Sequence, residues 1–108
     1  VETMIPLMLN EVSEGRLELG RLVTAMSEAP ADRLGLDRGK ISEGQTADLI
    51  MVDMKNSKPI NLEKLHSKAN WTPFQDWQAI FPSQVYRRGE LIAEDGEIKQ
   101  EGGGQNLF

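Results

Sequence analysis

The residues in this chain that could do chemistry are few, and each stands apart from the partners it would need. His66 is the only imidazole and there is no cysteine. A general base or nucleophile needs a second group within hydrogen-bond reach, and no serine-triad pattern, cysteine or second histidine accompanies His66 in the sequence. Near an aromatic stretch such a histidine reads as structural. Asp48 and Asp53 flank the apolar run Leu49-Ile50-Met51-Val52. The odd spacing on an extended strand turns their side chains to opposite faces, so they cannot chelate one ion together. Gly35-Leu36-Asp37-Arg38-Gly39-Lys40 resembles a phosphate loop. A Walker A motif needs four residues between its glycines and a Ser or Thr after the lysine, and here Ile41 follows Lys40. The loop also follows a helix instead of leading into one, so no helix N-terminus faces a phosphate.

Trp71, Phe74, Trp77 and Phe81 form an aromatic series suited to stacking on bases or sugars. Twelve basic against seventeen acidic residues give a net charge of −5, the opposite of a nucleic-acid groove. Packing is therefore the expected role of these rings. The acidic surplus, including Glu94, Asp95 and Glu97, reads as a solvated surface. From the residues alone no catalytic, substrate-binding or metal site is assigned.

The elements that would position any such group fall into two parts. At 108 residues, with 39% apolar side chains, the chain suits one small domain with a modest core. Thr3 is placed to cap a first helix, with Pro6 in its first turn, Leu7, Met8, Leu9 and Val12 following, and Gly15 as its stop. A second helix is expected over 18–27, with Leu19, Leu22, Val23 and Met26 on one face. A third starts at Ala29-Pro30-Ala31 and ends at Gly35. Beyond Lys40 the period changes. Residues 49–52 read as a strand buried on both faces. Strands are expected at 83–88, 90–94 and 97–99, with turns at Arg88-Gly89 and Asp95-Gly96. Residues 56–82, holding both tryptophans, read as an ordered excursion. No apolar run approaches the roughly 20 residues of a membrane span, and no signal segment opens the chain, so a soluble, cytoplasmic domain is expected. Helices followed by antiparallel strands give an α+β class or a junction between parts of a larger fold. The mostly apolar stretch from Met4 to Leu9 favours the junction. With Val1 in place of an initiator methionine and Gly102-Gly103-Gly104 near the end, the chain is expected to be a piece of a longer protein.

Several consecutive segments resemble the C-terminal end of dihydroorotases, which are cyclic amidohydrolases. VETMIPLML is similar to the segment after their last catalytic loop, and RLVTAMSEAPADRLGL to the helix pair that ends their barrel. GKISEGQTADLIMVD resembles the return into a small β domain. These three are shared with hydantoinases, allantoinases and several deaminases. LHSKANWTPFQDW, with Ser67-Lys68 ahead of Trp71-Thr72-Pro73-Phe74, is more selective for dihydroorotases, and VYRRGELIAEDGEI matches the closing hairpin. The resemblance implies terminal helices of a TIM-type (β/α) barrel over 1–36, the C-terminal strands of a small composite β domain over 37–101 with an aromatic loop at about 56–82, and a flexible tail at 102–108. It also implies a zinc-dependent parent that interconverts L-dihydroorotate and N-carbamoyl-L-aspartate in pyrimidine synthesis. The family's His-x-His pair, carboxylated lysine, two later histidines and aspartate do not map onto this sequence, so catalytic, substrate-binding and metal residues are all none, and the chain alone is expected to be inactive and to hold no cofactor. Implied partners are the rest of the barrel, a second copy covering the apolar helix, and aspartate transcarbamoylase, which some metal-free family members serve as structural partners. Nucleic acid and membrane are not expected partners.

Overall fold

The computed structural model describes residues 1–107. Helices lead, as α1 (Met4–Ser13), α2 (Leu19–Val23), a π-helical turn (Thr24–Glu28) and α3 (Ala29–Leu34). Six short strands follow: β1 (Leu49–Met51), β2 (Lys58–Pro59), β3 (Gln78–Ala79), β4 (Gln84–Arg87), β5 (Glu90–Glu94) and β6 (Glu97–Ile98). The larger sheet is antiparallel in the order β1-β4-β5-β6, and β2 pairs with β3 in a separate ribbon. The class is α+β.

Pro6 lies in the first turn of α1, where its missing N–H has no partner to lose. Thr3 does not cap the helix. It already has helical dihedrals and its hydroxyl makes no cap bond. Main-chain bonds serve that end instead, from the Met4 N–H to the Val1 carbonyl and from the Leu7 N–H to the Thr3 carbonyl. Gly15, at φ +74°, turns the chain away.

The expected break between the second and third helices is absent. Val23, Thr24, Glu28 and Ala29 all keep right-handed helical dihedrals, so the backbone winds on from residue 19 to 34. Pro30 cannot donate to the carbonyl one turn back, and its ring crowds that position. A proline here reads as a new start in sequence, but the widened π turn just before it accommodates the ring without ending the helix. Gly35 then closes the run at φ +67°, with its N–H on the Asp32 carbonyl and the Leu36 N–H on the Ala31 carbonyl. That pairing is a Schellman motif.

Helix and sheet meet through a small core. Leu9 of α1, Leu22 of α2 and Ile80 just after β3 are buried together, with Met8, Val12, Leu17, Met26, Val52 and Met54 around them. The Ile80 N–H donates to the Pro6 carbonyl at 2.9 Å, which fixes the β3 end against α1. Asn10, buried beside this seam, has its Oδ1 2.7 Å from the Ser57 hydroxyl. The apolar face expected on the second helix is only half covered, because Leu22 is buried while Leu19 and Val23 remain exposed. β1 departs from expectation too. It forms one edge of the sheet, leaving Ile50 44% and Met51 54% exposed. Four consecutive apolar residues mark a strand meant for two covered faces, and the described residues supply only part of that cover.

The two expected hairpin turns are present. Arg88 and Gly89 have φ of 49° and 80°, and Asp95 and Gly96 have 48° and 83°. Positive φ at both central residues is the type I′ pattern that suits the strand twist. In the expected tail, the Gly102 carbonyl accepts from the Arg87 guanidinium and the Gly103 carbonyl from Arg88 at 2.9 Å. Phe108 lies outside the described residues.

Two predictions follow from local contacts. A Cβ on Gly39 would stand 2.6 Å from the Ser27 carbonyl oxygen and 2.8 Å from the Ala31 Cβ, at φ +87°. Gly39→Ala is expected to cost about 3 kcal/mol from clash and strain, whereas Gly44→Ala, also at positive φ but in open space, should cost about 1 kcal/mol. Urea midpoints at constant slope read both. Arg16 donates to both Glu11 oxygens at 2.6 and 2.8 Å. The charge-assisted hydrogen bond holds the Glu11 carboxyl below its ordinary value and raises Arg16. A depressed folded-state value adds stability above the unfolded carboxylate value and loses it as pH falls through the folded one. Glu11→Gln should therefore shrink the drop in denaturation midpoint between neutral and acidic pH, slightly, since the pair is largely solvated.

Candidate functional site

His66 and Glu2 form a side-chain link between the aromatic excursion and the start of α1. His66 lies just after a 3-10 turn (Leu62–Lys64) whose N-cap, Asn61, accepts from the Glu63 N–H at 3.0 Å. Its ring Nδ1 is 2.8 Å from Glu2 Oε1, and its backbone N–H donates to Glu2 Oε2 at 2.8 Å. A carboxylate can only accept, so the Nδ1 carries the proton. With the carboxylate tied to both groups, the pair works as a clamp. An open groove of about 720 Å³ runs beside it, lined by Val1, Ile5, Ile50, Lys58, His66 and Phe81 among others. Its wall is mostly apolar.

The two aspartates part company. Asp48 Oδ2 is 2.5 Å from an Arg38 guanidinium nitrogen and its Oδ1 accepts the Arg88 N–H at 2.9 Å. It thus ties the loop after α3 to the β4–β5 turn. Asp53 instead closes a local turn by accepting the Lys55 N–H at 3.0 Å. The loop at 35–40 is a structural staple as well. The Ser27 hydroxyl donates to the Gly39 carbonyl at 2.9 Å, Lys40 meets the Asp32 carboxylate at 3.1 Å, and the Thr46 N–H donates to the Asp37 carbonyl at 2.7 Å.

Packing explains only part of the aromatic series. Phe74 and Trp77 meet edge to face with centroids 5.2 Å apart, and Phe81 is half-buried. Trp71 and Trp77 nonetheless remain 68% and 57% exposed, contrary to expectation. The Ser67 and Thr72 hydroxyls accept from the Ala69 and Phe74 N–H groups, so both organise their own loop. Glu94 of β5 meets Gln84 of the neighbouring β4 at 3.3 Å, and Glu97 of the edge strand β6 meets Lys99 at 3.2 Å.

Among the described residues no three His, Cys, Asp or Glu side chains converge as metal ligands. These side chains do not fit a catalytic zinc, which takes three protein ligands and leaves one position open. No helix is long and apolar enough to cross a membrane among the described residues.

Residues 1–92 match the amidohydrolase family. The chain belongs to the amidohydrolase family. Within that family it is similar to curated dihydroorotases. It is 42% identical to that of Methanosarcina acetivorans over 106 residues, covering 95% of this chain and 23% of the relative. The dihydroorotase of Thermoplasma volcanium is 43% identical over 97 residues, covering 90% and 23%. That of Halobacterium salinarum is 36% identical over 108 residues, covering 99% and 25%. Among solved structures, the L-hydantoinase (dihydropyrimidinase) of Arthrobacter aurescens superposes with a TM-score of 0.87 at 35% identity, covering 93% of this chain and 23% of that one. The chain spans about a quarter of the length of these amidohydrolase relatives. The dihydroorotase resemblance of its segments is thereby shown.

The Glu2–His66 link was not legible in sequence. Its members are 64 positions apart, and only folding of the excursion onto α1 brings them together. The double use of Asp48 was also hidden, although an aspartate ahead of a strand and arginines in two nearby turns were its ingredients. Asp48→Ala should strand the half-buried Arg38 and the Arg88 N–H together and cost about 2 kcal/mol. Asp48→Asn keeps an acceptor and should cost less, as read by denaturation midpoints.

Proposed function

We propose that this chain is the C-terminal portion of a dihydroorotase, which interconverts L-dihydroorotate and N-carbamoyl-L-aspartate in the cytoplasm. The observation that carries this reading is identity of 36–43% to dihydroorotases across 90–99% of this chain, against only 23–25% of their length. The selective LHSKANWTPFQDW segment lies inside that match. On this reading residues 1–36 are the last helices of a (β/α) barrel, 37–101 are the C-terminal share of a composite β domain, and 102–108 are a tail. The exposed Met4, Leu19, Val23, Ile50 and Met51 then face parts of the parent outside this chain. Zinc ligands, substrate contacts and catalytic groups belong to the rest of the barrel, and no residue of 1–108 touches substrate. The hydantoinase likeness favours a second reading, in which the parent keeps the chemistry and acts on a hydantoin.

The full-length parent is expected to hydrolyse dihydroorotate with much higher kcat/KM than hydantoin, in a chelator-sensitive manner. The chain 1–108 alone should show no turnover and bind no stoichiometric zinc at any concentration. Paired substrate assays with metal analysis decide it. Preference for hydantoin would move the parent to the second reading, while an inert parent would place it among non-catalytic partners. Turnover by 1–108 alone would overturn the division of labour.

A further inference from the structure

The clamp between His66 and Glu2 is not needed to hold α1, which is already fixed by the Ile80–Pro6 bond and by burial of Leu9. Glu2 stands ahead of the helix, before Thr3. What the clamp fixes is the path by which the chain enters α1. Its other end is rigid. Ile60 is fully buried and exchanges main-chain bonds with Trp77 and Asp76, from the Ile60 N–H to the Trp77 carbonyl at 2.8 Å and from the Asp76 N–H to the Ile60 carbonyl at 2.9 Å. The Leu62 N–H is held by Gln75 Oε1 at 3.0 Å, and the Leu65 N–H by the Leu62 carbonyl at 3.1 Å. His66 follows directly, so the core at Ile60 is coupled through one tight turn to the Glu2 carboxylate.

In (β/α) barrels the reacting groups sit at the end where each strand runs into the N-terminus of the next helix. If α1 is a barrel helix, a premise that rests on the function proposed above, Glu2 closes a strand-to-helix loop on that reactive face. The geometry points to His66 as a positioning residue: through Glu2 it holds the end of that loop, and so orients groups it does not itself touch. It takes no part in proton transfer. A misplacement of about 1 Å in such a loop is enough to lower turnover strongly.

The test uses the full-length parent, with dihydroorotate as substrate and hydantoin as the comparison. His66→Ala removes the ring bond and leaves the backbone one. It should lower kcat about 10-fold with KM within about twofold and an unchanged thermal midpoint. His66→Asn places an amide donor near the Nδ1 position and should restore kcat to within about twofold of wild type. Glu2→Gln combined with His66→Ala should be no worse than Glu2→Gln alone, because both act through one link. Wild-type kcat in a folded His66→Ala parent would overturn the proposal. So would a loss that tracks a lowered thermal midpoint and is not rescued by asparagine, since that marks a merely structural contact. A wild-type parent inert on both substrates contradicts the underlying reading and takes the proposal with it, a failure recognised before any variant is compared.

Discussion

Everything in this chain hangs on the contact between α1 and the strand segment that ends at Ile80. One main-chain bond, from Ile80 to the Pro6 carbonyl, sets the register, and the Leu9–Leu22–Ile80 cluster supplies the apolar burial around it. Remove that seam and the helices lose their attachment to the β ribbon. The Ser57–Asn10 contact and the Glu2–His66 clamp flank the same seam on either side. The larger sheet is tied to the loop after α3 through Arg38 and Asp48, and the chain leaving β1 packs Val52 and Met54 against the helical core.

The seam is small for the apolar surface the chain carries. Met4, Ile5, Leu19, Val23, Ile50 and Met51 are all exposed, and the first four come from the same helices that build the core. A solitary exposed leucine means little, but rows of apolar residues on a helix and on an edge strand mark surfaces selected for burial. Coverage of only a quarter of each relative's length gives the same reading from a different direction.

Local chemistry made part of this legible beforehand. The Arg88-Gly89 and Asp95-Gly96 turns were readable because positive φ at two adjacent residues has few sequence solutions, and the strands they join followed. Gly15 and Gly35 were readable as helix stops for the same reason. What failed was non-local. Burial of β1 was overestimated because a strand's pattern records the cover it evolved for, whichever polypeptide segment provides it. Pro30 suggested a break because sequence does not reveal that a π turn will absorb the ring. Trp71 and Trp77 read as packed, since large rings usually pack, yet both side chains stay mostly exposed. The dihydroorotase resemblance carried what periodicity did not, namely the amidohydrolase family to which the chain belongs.

The central claim is that these apolar surfaces are covered by the remainder of the parent protein. Methionine oxidation by dilute peroxide, mapped by peptide mass spectrometry, tests it most directly, because Met4 and Met51 are exposed while Met8, Met26 and Met54 are half-buried. In the chain 1–108, Met4 and Met51 should oxidise fastest of the five. In the folded full-length parent both should slow to the rate of Met54 or below. Equal, rapid oxidation of Met4 and Met51 in the chain and in the parent would contradict the account.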